Sequence, residues 1–182
     1  MSSIQSTSVR RELYADPADS QANAIHEARI LQLLLAQDGS TTRLCETIAG
    51  GPVELHVVKQ HVTSDVPAVV RRELPGEQFI ERITSLAARG QVMMDNISYI
   101  ALAGLDATIE ADLRQGAMPI GHLLARLWVR RERLVDMNEL AQRLWQLVGL
   151  PDASATRAYR IDTPESPRMV IAETYRRGML MR

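Results

Sequence analysis

Arg82 is the first residue of this chain whose type and position could support chemistry. It lies in the middle of the strand-like run 79–86. Alternate residues of a strand face opposite sides, so Arg82 shares its side with Ile80 and Leu86. A guanidinium buried among apolar side chains needs an anion or a set of acceptors. The pattern therefore indicates a small anionic ligand, although an arginine on a solvated sheet face fits the same spacing.

Glu173 is the second such residue, and it lies in the apolar run 168–175. Strand alternation places it on one side with Ile171 and Tyr175. Burial disfavours a charged carboxylate unless a cation lies nearby, and Arg82 is a candidate for that cation. An acid and an arginine facing one cavity could hold a small molecule with an anionic end and a hydroxyl or ether end. A structural ion pair is the simpler alternative.

Two loop segments read as helix starts rich in backbone N–H groups. The sequence DGSTTR, residues 38–43, contains Ser40, and MPIGHLL, residues 118–124, contains Ile120 and Gly121. The first amides of a helix have no partner within it and favour a carboxylate or phosphate. Gly121 would allow close backbone approach. Both segments are therefore candidate anion-binding positions, and plain connections between helices fit the same residues.

The order of elements predicts an α+β domain. Strands are predicted at 52–62, 79–86, 93–102, 128–135, 156–162 and 168–175, and helices at 22–37, 42–48, 105–114 and 138–148. The second and third strands form a hairpin around Gly90. The elements lack a βαβ rhythm, so an antiparallel sheet of about six strands covered by helices is expected. We expect a flexible arm at residues 1–20 and a single domain at 21–182.

Composition limits the function classes. The 182 residues carry a net charge of −1, are 46% hydrophobic and include one cysteine, Cys45. This balance does not favour nucleic-acid binding, and we expect a cytoplasmic protein without a membrane span. No nucleotide-binding or metalloprotease motif occurs, and a single cysteine excludes a metal-binding cluster of cysteines. The oligomeric state is left open.

The order of several segments resembles the chorismate pyruvate-lyase (4-hydroxybenzoate synthase) family, in its compact bacterial branch of secondary metabolism. The matching segments are RILQLLLAQDGSTTR, VELHVVKQ, the hairpin, PIGHLL, AYRI and VIAETY. The resemblance implies a ligand enclosed beneath helical flaps. It also implies cofactor-independent conversion of chorismate to 4-hydroxybenzoate and pyruvate.

The resemblance also implies a role for each candidate residue. Arg82 would pair with the ligand carboxylate, together with backbone amides at Ser40 and Ile120, the latter beside Gly121. Glu173 would face the ring oxygen of the ligand, as a general acid if burial raises its pKa. Ile97 stands where relatives carry a glutamate or an arginine. This departure leaves open a lyase for a related enolpyruvyl compound, or a non-catalytic module that binds an aromatic carboxylate.

Overall fold

The computed structural model describes residues 17–115, 119–125 and 128–176. Their core is a six-stranded sheet in the order β1-β2-β3-β6-β5-β4, in which all neighbours are antiparallel. The predicted α+β class is confirmed. The strands are β1 (Glu54–Thr63), β2 (Phe79–Ala88), β3 (Gln91–Ala101), β4 (Arg130–Arg133), β5 (Thr156–Asp162) and β6 (Pro167–Tyr175), and the helices are α1 (Pro17–Ala36), α2 (Thr41–Ala49), α3 (Ala68–Glu73), α4 (Ala107–Gln115), α5 (Ile120–Leu124) and α6 (Asn138–Val148).

The predicted hairpin is formed by β2 and β3. Arg89 and Gly90 connect the two strands, with φ angles of 53° and 76°. Positive φ at both central residues gives a turn whose twist matches that of paired strands. This turn fixes the register, so Arg82 lies opposite Ser98 and Ile83 opposite Ile97.

Cross-strand rows assign each residue to one face of the sheet. One row is Thr84, Asn96, Glu173 and Arg157, which lie directly opposite one another on β2, β3, β6 and β5. We call its side the site face. The next row, Ile83, Ile97, Ala172 and Ala158, faces the other side and belongs to a buried apolar cluster that includes Leu140 and Leu144 of α6.

Helices α1, α2, α4 and α5 supply side chains to the site face. Leu31 and Leu34 of α1 and Cys45 of α2 pack near Met94, and Leu113 of α4 packs near Ile100. Leu31 and Leu34 lie in the helix predicted at residues 22–37, and they form the surface that closes this end of the sheet.

Two segments differ from the expectation. The stretch between β1 and β2, where the sequence predicted neither a helix nor a strand, contains α3, whose Val69 and Val70 pack on the α6 side. Strand β4 has only four residues because its sequence is Arg-Arg-Glu-Arg, which offers no apolar alternation. Residues 1–16 of the expected arm lie outside the described residues, and residues 17–20 begin α1. No helix of the described residues is long and apolar enough to cross a membrane.

Candidate active site

The site begins where α2 meets the sheet. Ser40 is the N-cap of α2 and accepts a hydrogen bond from the Arg43 amide through its hydroxyl. Capping fixes the first turn of the helix. The hydroxyl of Thr41 then donates to Glu173 Oε2 at 3.1 Å. The positive end of the α2 dipole therefore lies against the Glu173 carboxylate.

Glu173 is buried, 3% exposed, and accepts hydrogen bonds from four side chains. Arg157 Nε donates to Oε2 at 2.9 Å, and Tyr159 Oη donates to Oε1 at 2.7 Å. Tyr175 Oη donates to Oε2 at 3.2 Å. These contacts compensate the desolvation of a carboxylate. The cation beside Glu173 is Arg157, and not Arg82 as the sequence suggested.

The charge of Glu173 shapes the ionisation of its neighbours. Burial, the largest single influence, works to lower the pKa of Arg157, but the neighbouring groups together, with the charge of Glu173 first among them, outweigh burial and the pKa is raised. Burial, followed by the charge of Glu173, raises the pKa of Tyr159 well above its ordinary value. The Arg157 guanidinium carbon lies 5.0 Å from the centre of the Tyr159 ring. The tyrosine therefore stays a neutral donor and the arginine a cation.

A cavity of about 30 Å³ opens beside Glu173. This volume holds about two water molecules. Its polar wall includes Asn96, Arg131 and Tyr159. Its remaining walls come from the start of α2, the sheet and α5: Thr41, Thr42, Leu55, Thr84, Leu86, Met94, Pro119, Ile120, Gly121, Leu124, Ile171 and Glu173.

Gly121 brings α5 against the start of α2. A Cβ built there would lie 2.4 Å from Thr42 Oγ1 and 3.0 Å from Ser40 Oγ. The close approach expected of this glycine is thus a contact between two helices at the cavity wall. His122 Nε2, one residue along, lies 3.2 Å from Glu46 Oε1 of α2.

Arg82 lies on the site face, with 1% of its surface exposed. Its row continues through Ser98 and Ile171 to Tyr159. Burial lowers the pKa of the Arg82 guanidinium. Strand spacing and rise put its Cα roughly 12 Å from that of Glu173. Arg82 does not line the 30 Å³ cavity; the next inward residue of β2, Thr84, does.

Ile97 does not reach the site, and its expected contact with the ligand is wrong. It is fully buried on the α6 side of the sheet, between Ile83 and Ala172. The neighbouring Asn96 instead lines the cavity between Thr84 and Glu173. A shift of one residue along a strand moves a side chain to the opposite face.

Sequence reasoning missed three residues of the site: Asn96, Arg157 and Tyr159. The signal for the last two was the alternation in residues 156–162, which puts Arg157, Tyr159 and Ile161 on one side. Their closeness to Glu173 depends on the pairing of β5 with β6, which local pattern does not specify.

The described residues form an antiparallel sheet with the buried Glu173 carboxylate beneath helices. Comparison with known proteins identifies the family. The family model "Chorismate pyruvate-lyase Rv2949c-like" matches residues 35–181. The chain therefore belongs to the Rv2949c-like chorismate pyruvate-lyase family, as the resemblance indicated. No curated protein matches the chain.

Several solved structures are similar at low identity. The possible transcriptional regulator YydK of Bacillus subtilis shares 14% identity and a TM-score of 0.42, over 68% of this chain and 57% of YydK. The C-terminal domain of the histidine utilization repressor of Pseudomonas syringae shares 10% identity and a TM-score of 0.45, over 71% and 94%. A GntR-family regulator of Bacillus cereus shares 10% identity and a TM-score of 0.39, over 68% and 90%. The regulatory roles belong to those proteins.

Proposed function

We propose that this protein is a chorismate pyruvate-lyase that releases 4-hydroxybenzoate and pyruvate without a cofactor. The observation that carries the proposal is the buried Glu173 carboxylate, which lies beside a cavity and shares a sheet face with Arg82. Membership in the family supports the general kind of reaction.

Arg82 is proposed to bind the ring carboxylate of the substrate. A guanidinium offers two parallel donors to a carboxylate, and a buried site strengthens such bonds. The capped start of α2, at Ser40, adds backbone donors and a favourable dipole. Ile120 and Gly121 of α5 form the opposite wall. These contacts would orient the ring, with its oxygen substituents toward Glu173.

Glu173 is proposed to act as a base, in place of the general acid expected from sequence. Its four donors, one of them a guanidinium, complement a carboxylate anion. It would accept the proton from the ring carbon that bears the hydroxyl. The electron pair of that C–H bond completes the aromatic ring. The C–O bond to the enolpyruvyl group breaks with its pair, and the enolate takes a proton at its methylene carbon to give pyruvate.

The proposed reaction requires local opening of the site. Chorismate is far larger than a 30 Å³ cavity, so a wall of the cavity has to move before the ring can enter, and we propose that α5 moves away from α2. Three of the four donors bond Oε2 and only Tyr159 bonds Oε1, so Oε1 keeps an acceptor position that can take a proton. Tyr159, the donor to this oxygen, lines the cavity beside Glu173.

The test follows 4-hydroxybenzoate and pyruvate together after chorismate is added to purified protein. Equal amounts of both products are expected. Glu173→Gln should lower kcat at least about 100-fold. Glu165→Gln, at an exposed glutamate in the turn before β6, is the matched control and should leave kcat unchanged. Arg82→Lys should raise KM more than it lowers kcat, because lysine cannot give two parallel bonds.

The second candidate is a binding module for an aromatic carboxylate, favoured by the buried ion pair that already neutralises the Glu173 carboxylate. Such a module would bind 4-hydroxybenzoate and leave chorismate intact. Calorimetric titration with 4-hydroxybenzoate, run beside the turnover assay, separates the two functions. Tight binding without turnover would overturn the lyase proposal and support the module.

A further inference from the structure

A second cavity lies next to the first, at the end of the sheet formed by β4 and β5. Its volume is about 120 Å³, four times that of the cavity at Glu173. Arg131 and Tyr159 line both cavities and form the wall between them. The opposite wall of the second cavity is formed by the end of α1 and the residues after it, from Leu35 to Asp38.

The walls of this second cavity, which we call the side cavity, carry an excess of positive charge. Three arginines line it, at positions 131, 133 and 157, against one acidic residue, Asp38. Arg157 is occupied: it donates to Glu173, to Thr41 Oγ1 and to the carbonyl oxygen of Gln37.

The other two arginines, Arg131 and Arg133, can each bind an anion. Arg131 Nη1 donates to the Asp38 carbonyl oxygen at 3.1 Å, while its buried Nε has no hydrogen-bond partner among the described residues. Within the same residues, neither Arg131 nor Arg133 forms an ion pair with a carboxylate. A buried guanidinium nitrogen without an acceptor is costly, and an anion would remove that cost.

The cross-strand rows place this charge in line with the proposed site. Arg82, Ser98, Ile171, Tyr159 and Arg133 follow one another across five strands on the site face. One arginine therefore stands at each end of the row, with the Glu173 region and Tyr159 between them.

We propose that the side cavity is a subsite for a second carboxylate, the one on the three-carbon unit that leaves. The inference rests on the proposed function and assigns Arg131 and Arg133 to the leaving end of a substrate that extends across both cavities. The ring carboxylate lies toward Arg82 and the enolpyruvyl carboxylate binds Arg131 and Arg133. A 120 Å³ cavity has room for a carboxylate with two attached carbons.

The test compares a dicarboxylate with a monocarboxylate. Chorismate carries both carboxylates and 4-hydroxybenzoate carries only the ring one. Arg133→Ala should raise the KM for chorismate at least about tenfold, because it removes a charge-assisted hydrogen bond. Its Kd for 4-hydroxybenzoate, measured by calorimetry, should change less than twofold. Arg130→Ala is the matched control, because Arg130 is the neighbouring exposed arginine of β4 on the opposite face.

Each outcome decides between the subsite and the function. If Arg133→Ala and Arg130→Ala leave the KM for chorismate equal to that of wild type, the subsite is wrong and the lyase stands. If wild type leaves chorismate intact but binds it with a Kd that depends on Arg133, the lyase is wrong and the subsite stands. The subsite is also wrong if Arg133→Ala weakens the binding of chorismate and of 4-hydroxybenzoate equally, or if wild type binds neither ligand.

Discussion

Arg157 and Glu173 form a buried ion pair, with Arg157 Nε 2.9 Å from Glu173 Oε2 and about 5% of each side chain exposed. The pair links neighbouring strands β5 and β6 and lies under the start of α2. A buried ion pair is stable only when further hydrogen bonds satisfy both charged groups. Here the hydroxyls of Thr41 and Tyr159 donate to Glu173, and the carbonyl oxygen of Gln37 accepts from Arg157.

Removal of one partner of this pair should destabilise the fold strongly. Arg157→Met leaves a buried carboxylate without its cation, which costs about 3–5 kcal/mol of unfolding free energy. Urea unfolding followed by circular dichroism measures it. Arg114→Met is the control: Arg114 is half exposed and pairs with Glu110 on one helix, a contact that contributes less than about 1 kcal/mol. An equal loss of unfolding free energy in both variants would contradict the stabilising role of the Arg157–Glu173 pair.

Asn96 and Ile97 should have opposite phenotypes. Asn96→Leu should raise the KM for chorismate and weaken 4-hydroxybenzoate binding, because the amide lines the cavity between Thr84 and Glu173. Ile97→Val should cost about 0.5–1.5 kcal/mol of stability through lost core packing and leave both ligand constants unchanged. Enzyme kinetics and urea unfolding on both variants check this. If Ile97→Val changes the KM for chorismate and Asn96→Leu does not, then Ile97 and not Asn96 faces the site.

These two residues show how far sequence reasoning reaches. Alternation gave the correct neighbours for Arg82 and for Glu173: Ile80 and Leu86 share the site face with Arg82, and Ile171 and Tyr175 share it with Glu173. Ile97 was expected in the site from resemblance alone, and the structure places it on the opposite face of the sheet. Alternation within β3 favours Asn96, which lies two residues from Ser98, the partner of Arg82.

The partner of Glu173 lay beyond local sequence patterns. Arg82 and Arg157 are both arginines in strand-like runs, and only the sheet order shows which one neighbours Glu173. That order places β6 between β3 and β5, so β5 is adjacent to Glu173 while β2 is two strands away. Long-range pairing of this kind depends on packing of the whole sheet, and residue periodicity does not specify it.

Gly121→Ala should separate α5 from α2. Its Cβ would lie 2.4 Å from Thr42 Oγ1, nearer than real Cβ atoms come, so α5 or the Thr42 side chain has to shift. We expect a Kd for 4-hydroxybenzoate at least about tenfold higher, because the wall of the cavity moves. Gly51→Ala is the control: no atom lies within 4 Å of its Cβ position, so binding should be unchanged. Wild-type affinity in Gly121→Ala would show that this contact does not shape the site.

Cys45 should be nearly inert to alkylation in the folded protein. The thiol is fully buried at the back of the site, and burial, followed by the charge of Glu173, raises its pKa to about 12. The thiolate is the reactive form, so at pH 8 only about one molecule in 10⁴ is reactive.

The same shift sets a pH dependence of stability. Well below pH 9 the thiol is protonated in both states, and as the pH rises through 9 the unfolded chain loses the proton first. Stability should therefore fall from about pH 9 to pH 12, with a smaller slope in Cys45→Ala. Mass spectrometry after iodoacetamide treatment at pH 8 should show a native rate roughly 1,000-fold below that in urea. Comparable rates in the two states would mean that Cys45 reaches solvent, and that the packing of α2 against the sheet is looser than the structure describes.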